Sequence, residues 1–207
     1  MNKAFLIASF ILLPVVIFFA SLAFVPRAFS VAGDEPADVA PLAAASAANG
    51  TGQYHAALLD SIEGAVINAR GEADVAPLRT KPYLFIYFSA SWCPPCRKFT
   101  PELVAFYNKY HKDGDFDLLF VSRDRNQEAM DSYMKGDKMP WTGLKLGSTT
   151  THELVKKYNV RGIPCLVLLD GNDNVIGHSF EKGEYRGPDN ALLKYAALKK
   201  TNAAAAK

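Results

Sequence analysis

The passage that most limits how this chain can fold is the uncharged run Tyr83-Leu84-Phe85-Ile86-Tyr87-Phe88, which leads almost at once into Trp92-Cys93-Pro94-Pro95-Cys96. Aromatic and β-branched residues in an unbroken apolar run predict a strand buried on both faces. Phe99, Leu103, Phe106, Tyr107 and Tyr110 then fall at helical spacing, which predicts an amphipathic helix from Cys96 to Tyr110, kinked at Pro101. A buried strand feeding directly into a helix commits the chain to a layered α/β arrangement. Pro94 and Pro95 suit the helix start, where backbone N–H groups have no intrahelical partner. A thiol on Cys93 then faces those N–H groups and the positive end of the helix dipole, which lowers a cysteine pKa below its free value of about 8.5. Cys93 is the expected exposed nucleophile, and Cys96, one turn deeper, the expected resolving thiol. Cys-x-x-Cys also serves as half of a zinc site, but that reading needs a second half, and the sequence has none.

Further strands are expected at Ala65 to Asn68, Phe116 to Val121, Cys165 to Asp170 and Asn174 to His178, the last two joined by the turn residues Gly171-Asn172-Asp173. Arg70-Gly71-Glu72 reads as a turn closing the first strand. Helices are expected from about Asn126 to Lys135, Thr151 to Tyr158 and Asn190 to Lys200. Strands and helices that alternate and end in a hairpin imply a mixed central sheet with helices on both faces. With 49% hydrophobic and 21% charged residues, the chain can bury one ordinary core. The net charge of +2, from 23 basic and 21 acidic residues without a long basic run, argues against a nucleic-acid partner.

The expected division is residues 1–30 as a signal peptide or N-terminal membrane anchor, 31–53 as a flexible Ala/Pro-rich linker, 54–200 as the folded domain, and 201–207 as a disordered tail. Lys3 is followed from Ala4 to Val25 by 22 uncharged residues. That length suits a spanning helix, whereas Pro14 and the small residues Ser21-Leu22-Ala23 or Ala28-Phe29-Ser30 suit a cleaved signal. Either places the domain outside the cytoplasm, periplasmic or secreted, with membrane contact if the segment is kept.

Phe88-Ser89-Ala90-Ser91-Trp92-Cys93-Pro94-Pro95-Cys96-Arg97 resembles the active site of the thioredoxin superfamily, specifically its tryparedoxin and nucleoredoxin branch. Phe99-Thr100-Pro101, Val121-Ser122-Arg123-Asp124-Arg125, Met139-Pro140-Trp141 and Val160-Arg161-Gly162-Ile163-Pro164 continue the resemblance in order, over about Leu58 to Lys200. It implies a thioredoxin fold and a thiol–disulfide oxidoreductase whose only redox group is a Cys93–Cys96 disulfide, with no cofactor and no metal. Its partners would be protein disulfides and an electron donor that the sequence does not identify. Trp92, Pro94, Pro95, Ile163 and Pro164 would bound the substrate groove, with Ile163-Pro164 a cis peptide beside which the substrate pairs like an added strand.

Several residues depart from the family pattern. Tyr87 stands where thioredoxins carry a buried Asp, so water or Tyr87 must help move the proton of the resolving thiol. Arg123 and Arg125 flank Asp124 where tryparedoxins show Trp and Glu, which favours a thiolate or an acidic partner surface over glutathionylspermidine. Cys165 replaces the expected Thr and reads as small buried packing or as a third redox thiol. Trp141 and Trp92 could shape the groove. A metal-binding chaperone using His178, or a non-catalytic interaction module, is the competing reading, with His178 otherwise a surface strand residue. Strong oxidants of this fold hold a His between the cysteines, so Pro94-Pro95 favours a reductase or isomerase.

Overall fold

The computed structural model describes residues 53–205, so the expected signal or anchor and nearly all of the linker lie outside the described residues. In chain order the elements are α1 (Ala56–Asp60), β1 (Val66–Asn68), β2 (Gly71–Glu72), α2 (Ala76–Arg79), β3 (Tyr83–Ser89) and α3 (Pro94–Tyr110). A 3-10 turn at His111–Asp113 leads to β4 (Phe116–Ser122), α4 (Gln127–Gly136), β5 (Thr142–Leu144), α5 (Thr149–Lys157) and β6 (Cys165–Leu169). The chain closes with β7 (Val175–His178), β8 (Phe180–Glu181), β9 (Glu184–Tyr185) and α6 (Asp189–Ala205).

Seven strands form one mixed sheet in the order β2-β1-β5-β4-β3-β6-β7, with β3, β4 and β5 parallel and the remaining neighbours antiparallel. The three long apolar runs supply its centre, β4-β3-β6. Period-2 alternation sends Phe85, Tyr87, Phe116, Phe120 and Leu168 to one face, against Phe99, Leu103 and Tyr107 of α3, Met130 of α4 and Tyr195 of α6. Leu84, Ile86, Phe88, Leu119 and Val167 take the other face, against Leu58 and Leu59 of α1, Leu78 of α2 and Leu154 of α5. Each large apolar side chain so buried contributes about 1.5–3 kcal/mol. Both faces of the sheet are therefore covered, as the continuous apolar strands require.

The structure adds elements that the sequence pattern does not reveal. The short helices α1 and α2 hold their places through buried Leu58, Leu59 and Leu78 rather than through any periodicity. Gly71 and Glu72, expected as a plain turn, form a two-residue strand returning along β1. The three-residue β5 fits under α4 because position 143 is glycine: a Cβ there would lie 2.8 Å from Met130 Cε. Residues 201–205, expected as part of a disordered tail, continue α6, an alanine-rich extension with the best intrinsic helix propensity. α5 begins two residues earlier than expected, where Ser148 Oγ accepts the Thr150 N–H at 3.2 Å. Near the start of the described chain, buried His55 ties residue 55 to the β6–β7 turn, with Nδ1 2.8 Å from Asp173 Oδ1 and Nε2 3.1 Å from the Lys81 carbonyl oxygen.

Candidate active site

β3 delivers the chain to the C-terminal end of the central parallel strands, and Cys93 caps the helix that follows it. Its backbone is extended, and its sulfur accepts the Cys96 N–H at 3.2 Å. Pro94 and Pro95 fill the first two helical positions. Cys93 and Cys96 are joined in a disulfide, with S–S 2.06 Å and Cα–Cα 5.2 Å. Cys96 is fully buried and Cys93 is 3% exposed. The sequence suggests an exposed Cys93; in the disulfide it shows only one edge, because Ala90 and Ile163 pack against it. Of the two residues, Cys93 is the less buried.

Two loops enclose that edge. Ile163-Pro164 is a cis peptide, and the Ile163 carbonyl oxygen lies 3.8 Å from Cys93 Sγ. The Pro164 carbonyl accepts the Tyr185 hydroxyl at 2.9 Å, so β9 braces this wall. On the other side Trp92 is 55% exposed, and its indole N–H donates to the Arg123 carbonyl at 3.1 Å. Asp124 is buried: Oδ1 accepts the Ser91 N–H at 2.9 Å and the Ser91 hydroxyl at 2.7 Å, while Oδ2 accepts the Ser122 hydroxyl at 2.8 Å. Its carboxylate is thus consumed in tying the Ser91-Trp92 loop to the end of β4. Arg123 and Arg125 on either side of it point into solvent. A polar cleft of about 640 Å³ opens next to Arg123, lined also by Ser148, Thr149, Thr151, His152 and Glu153.

Behind Cys96 lies a closed set of hydroxyls. Thr100 Oγ1 donates to the Cys96 carbonyl at 3.0 Å and is 2.9 Å from the Tyr87 hydroxyl and 2.6 Å from that of Tyr133. Tyr133 is in turn 3.0 Å from Ser89 Oγ. Four protons serve four bonds if Ser89 donates to Tyr133, both phenols donate to Thr100, and Thr100 donates to Cys96. Burial, reinforced by Tyr133, pushes the Tyr87 phenol above its usual value, and burial does the same to Tyr133. Both stay protonated at neutral pH. Tyr87 therefore has no base to offer Cys96, and its partners are a hydroxyl and, at 3.5 Å, a carbonyl, neither of them sulfur. Of the two routes open in the sequence, the geometry does not support Tyr87, whose hydroxyl is not on the Cys96 sulfur.

Cys165 is a free thiol, fully buried at the start of β6 in the core on the α1, α2 and α5 side of the sheet. Burial, opposed only in part by Ser179, pushes its pKa up to about 12. That favours the packing reading over a third redox thiol. His178, 4.0 Å from the Cys165 sulfur, is half-buried rather than a surface residue: Nδ1 accepts the Phe180 N–H at 2.8 Å and Nε2 donates to the Tyr158 carbonyl at 2.8 Å. Both ring nitrogens are occupied by backbone. Trp141 is 1% exposed and belongs to the core, so only Trp92 borders the groove. Ser91 and Thr100 stand in the motifs that carry the resemblance but with no role assigned by sequence, and Tyr133 stands outside those motifs. Thr100 could have been suspected from its place one turn after Cys96 on the buried helix face.

Residues 82–175 match the family model described as Thioredoxin-like. Tryparedoxin of Trypanosoma brucei brucei is 37% identical over 128 residues, which make up 61% of this chain and 87% of that protein. The chain belongs to the thioredoxin-like family of thiol–disulfide oxidoreductases. Its relatives there include tryparedoxins and nucleoredoxins. Danio rerio nucleoredoxin is 35% identical over 115 residues, 55% of this chain but only 27% of that longer protein. Among solved structures, thioredoxin from Wuchereria bancrofti superposes with a TM-score of 0.56 at 33% identity, covering 72% of this chain and 99% of its own. Tryparedoxin from Trypanosoma brucei gives 0.52 at 37% identity, covering 59% and 84%.

Proposed function

We propose that this oxidoreductase reduces or isomerises disulfides of protein clients through Cys93 and Cys96, and that it works outside the cytoplasm. The observation that carries the first part is the Cys93–Cys96 pair at the N-terminus of α3, with the Ile163 carbonyl 3.8 Å from Cys93 Sγ. The Cys93 thiolate attacks one sulfur of the client disulfide, forming a mixed disulfide and expelling the other client sulfur as thiolate. Cys96, its proton lost to water, attacks Cys93 Sγ and releases the second client thiolate. The enzyme ends oxidised by two electrons, which a thiol donor must restore. Pro94 and Pro95 place no hydrogen-bonding side chain between the cysteines to hold a thiolate, which supports reduction or isomerisation rather than strong oxidation.

Support for export is the uncharged stretch Ala4 to Val25 beside Lys3. Among the described residues no helix is long and apolar enough to cross a membrane, so anchoring would rest on that stretch. Two variants test the chemistry in the native organism. Cys96→Ser should accumulate covalent client complexes that a reductant releases, and Cys93→Ser should capture none and lose turnover; normal turnover by either refutes the two-cysteine cycle. Fractionation of the same cells tests location, and a cytosolic protein that retains Met1 or Asn2 at its terminus and lacks membrane association refutes export.

A further inference from the structure

We infer that the client is a protein disulfide flanked by carboxylate side chains, recognised by a cationic rim around Cys93; this rests on the protein-client reading above. Three separate segments border the exposed edge of Cys93, and each carries arginine or lysine. Arg97 and Lys98 lie in the first turns of α3, Arg123 and Arg125 follow β4, and Arg161 stands two residues before Ile163. All five are exposed. Among the described residues none of the five is in an ion pair, whereas Arg79, Lys145, Lys194 and Lys199 each hold a carboxylate, as does Arg186 with Glu184 beside the Pro164 wall. Arg161 has only 3.4 Å contacts to neutral oxygens, Asn159 Oδ1 and the Gly183 carbonyl.

What gives the rim its sign is the fate of its one carboxylate. Asp124 is the sole acidic residue on the segments 91–98, 122–126 and 159–164, and both of its oxygens face inward onto Ser91 and Ser122. It structures the loop, and the three segments together carry five exposed cations against this one buried carboxylate. The other acids beside these segments are Glu153, which lines the same cleft as Arg123, and Glu184 of β9, which is paired with Arg186; Glu102 and Glu128 sit further along α3 and α4. A client approaching Cys93 therefore meets unpaired cations on each of these three segments. Exposed Trp92 offers an apolar contact in their midst. Such an arrangement acts mainly on encounter, where a one-signed surface raises association rates by about 10- to 1000-fold at low salt. Three segments on different sides of the sulfur make a footprint suited to a polypeptide rather than to a single small anion.

The test uses the full-length protein with dithiothreitol as electron donor and three disulfide peptides identical except for acidic, neutral or basic residues flanking the cysteines. The kcat/KM ratio of acidic to basic peptide should be about 10 or more at 0.01 M salt, where the Debye length is about 30 Å, and approach about 1 at 1 M, where it is about 3 Å. Arg123→Glu combined with Arg125→Glu should invert the ratio, and because the ratio is taken within one preparation, any loss of folded protein cancels. Less than a twofold wild-type preference at low salt, or a ratio unmoved by the double variant, overturns the inference. Glutathione disulfide outcompeting the acidic peptide would also overturn it, in favour of a small anionic substrate. If no peptide is turned over but neutral 2-hydroxyethyl disulfide is, the protein-client reading itself has failed.

Discussion

Replacing Thr100 by valine tests the hydroxyl set behind Cys96, because valine keeps the side-chain shape and removes only the polar atom on which that set converges. Thr100 Oγ1 is the hydrogen-bond partner of both Tyr87 and Tyr133, at 2.9 and 2.6 Å, in a fully buried position. Without it each phenol loses its acceptor, and a buried donor left unsatisfied costs about 1–3 kcal/mol. Both phenols retain a poorer alternative. Tyr133 can turn to Ser89 Oγ at 3.0 Å, and Tyr87 to the Cys96 carbonyl at 3.5 Å. The expected loss is therefore about 2–3 kcal/mol rather than the sum of two full penalties. Urea unfolding of the oxidised protein should show a lower midpoint at unchanged slope. Adding Tyr87→Phe and Tyr133→Phe to Thr100→Val should recover part of the loss, since it removes both stranded phenols and leaves only the Ser89 hydroxyl without its Tyr133 partner. A cost below about 0.5 kcal/mol for Thr100→Val, or a triple variant less stable than the single one, would refute the satisfied-network argument.

Three further outcomes are expected. In the reduced protein at neutral pH, Cys93 should be alkylated before Cys96 and Cys165, as mapped by mass spectrometry of a time course, because it alone has an exposed edge and caps α3. Asp124→Ala should cost about 2–4 kcal/mol in urea unfolding, because the Ser91 N–H and two serine hydroxyls lose a charged acceptor together. Stability should fall as pH rises above 9.0 toward 12, since an unfolded chain releases the Cys165 proton near its ordinary value of 9.0 while the folded chain holds it to about 12. The raised Tyr87 and Tyr133 phenols act in the same direction, and Cys165→Ala should flatten the first part of that decline in urea midpoints measured against pH.

The parts of this molecule legible in the sequence are those specified by long local patterns. Tyr83 to Phe88 and Cys165 to Leu169 are apolar at every step, Phe116 to Val121 is broken only by Asp117, and all three, buried on both faces, announce the central strands. The helix start at Pro94 and the cysteine spacing are equally local. Residues whose meaning depends on distant partners were hidden. Asp124 looks like a modulator beside two arginines, and only the fold turns its carboxylate onto Ser91, 33 positions away. Trp141 looks like a groove residue until the register of β5 against β4 places it in the core. Thr142 to Leu144 is too short to show an alternation, and its glycine, which sequence rules count against a strand, is what lets Met130 close over it.

The exchange of a buried carboxylate for Tyr87 has a consequence for how this site can run. A carboxylate behind the resolving cysteine takes up and returns a proton, so its own ionisation enters the rate at which the mixed disulfide collapses. The phenols that fill the space here are held protonated by burial, and each spends its proton on Thr100. They cannot serve as the base at neutral pH, and an acid they could relay to is absent from their hydrogen bonds. What they supply is position: through Thr100 they fix the Cys96 carbonyl, and with it the first turn of α3 that holds both sulfurs. With no base among these hydroxyls, a proton leaving Cys96 toward water would pass on the side of Cys93, the less buried of the two cysteines. Client docking and proton release would share one opening, and the walls formed by Trp92 and Ile163 would govern both steps.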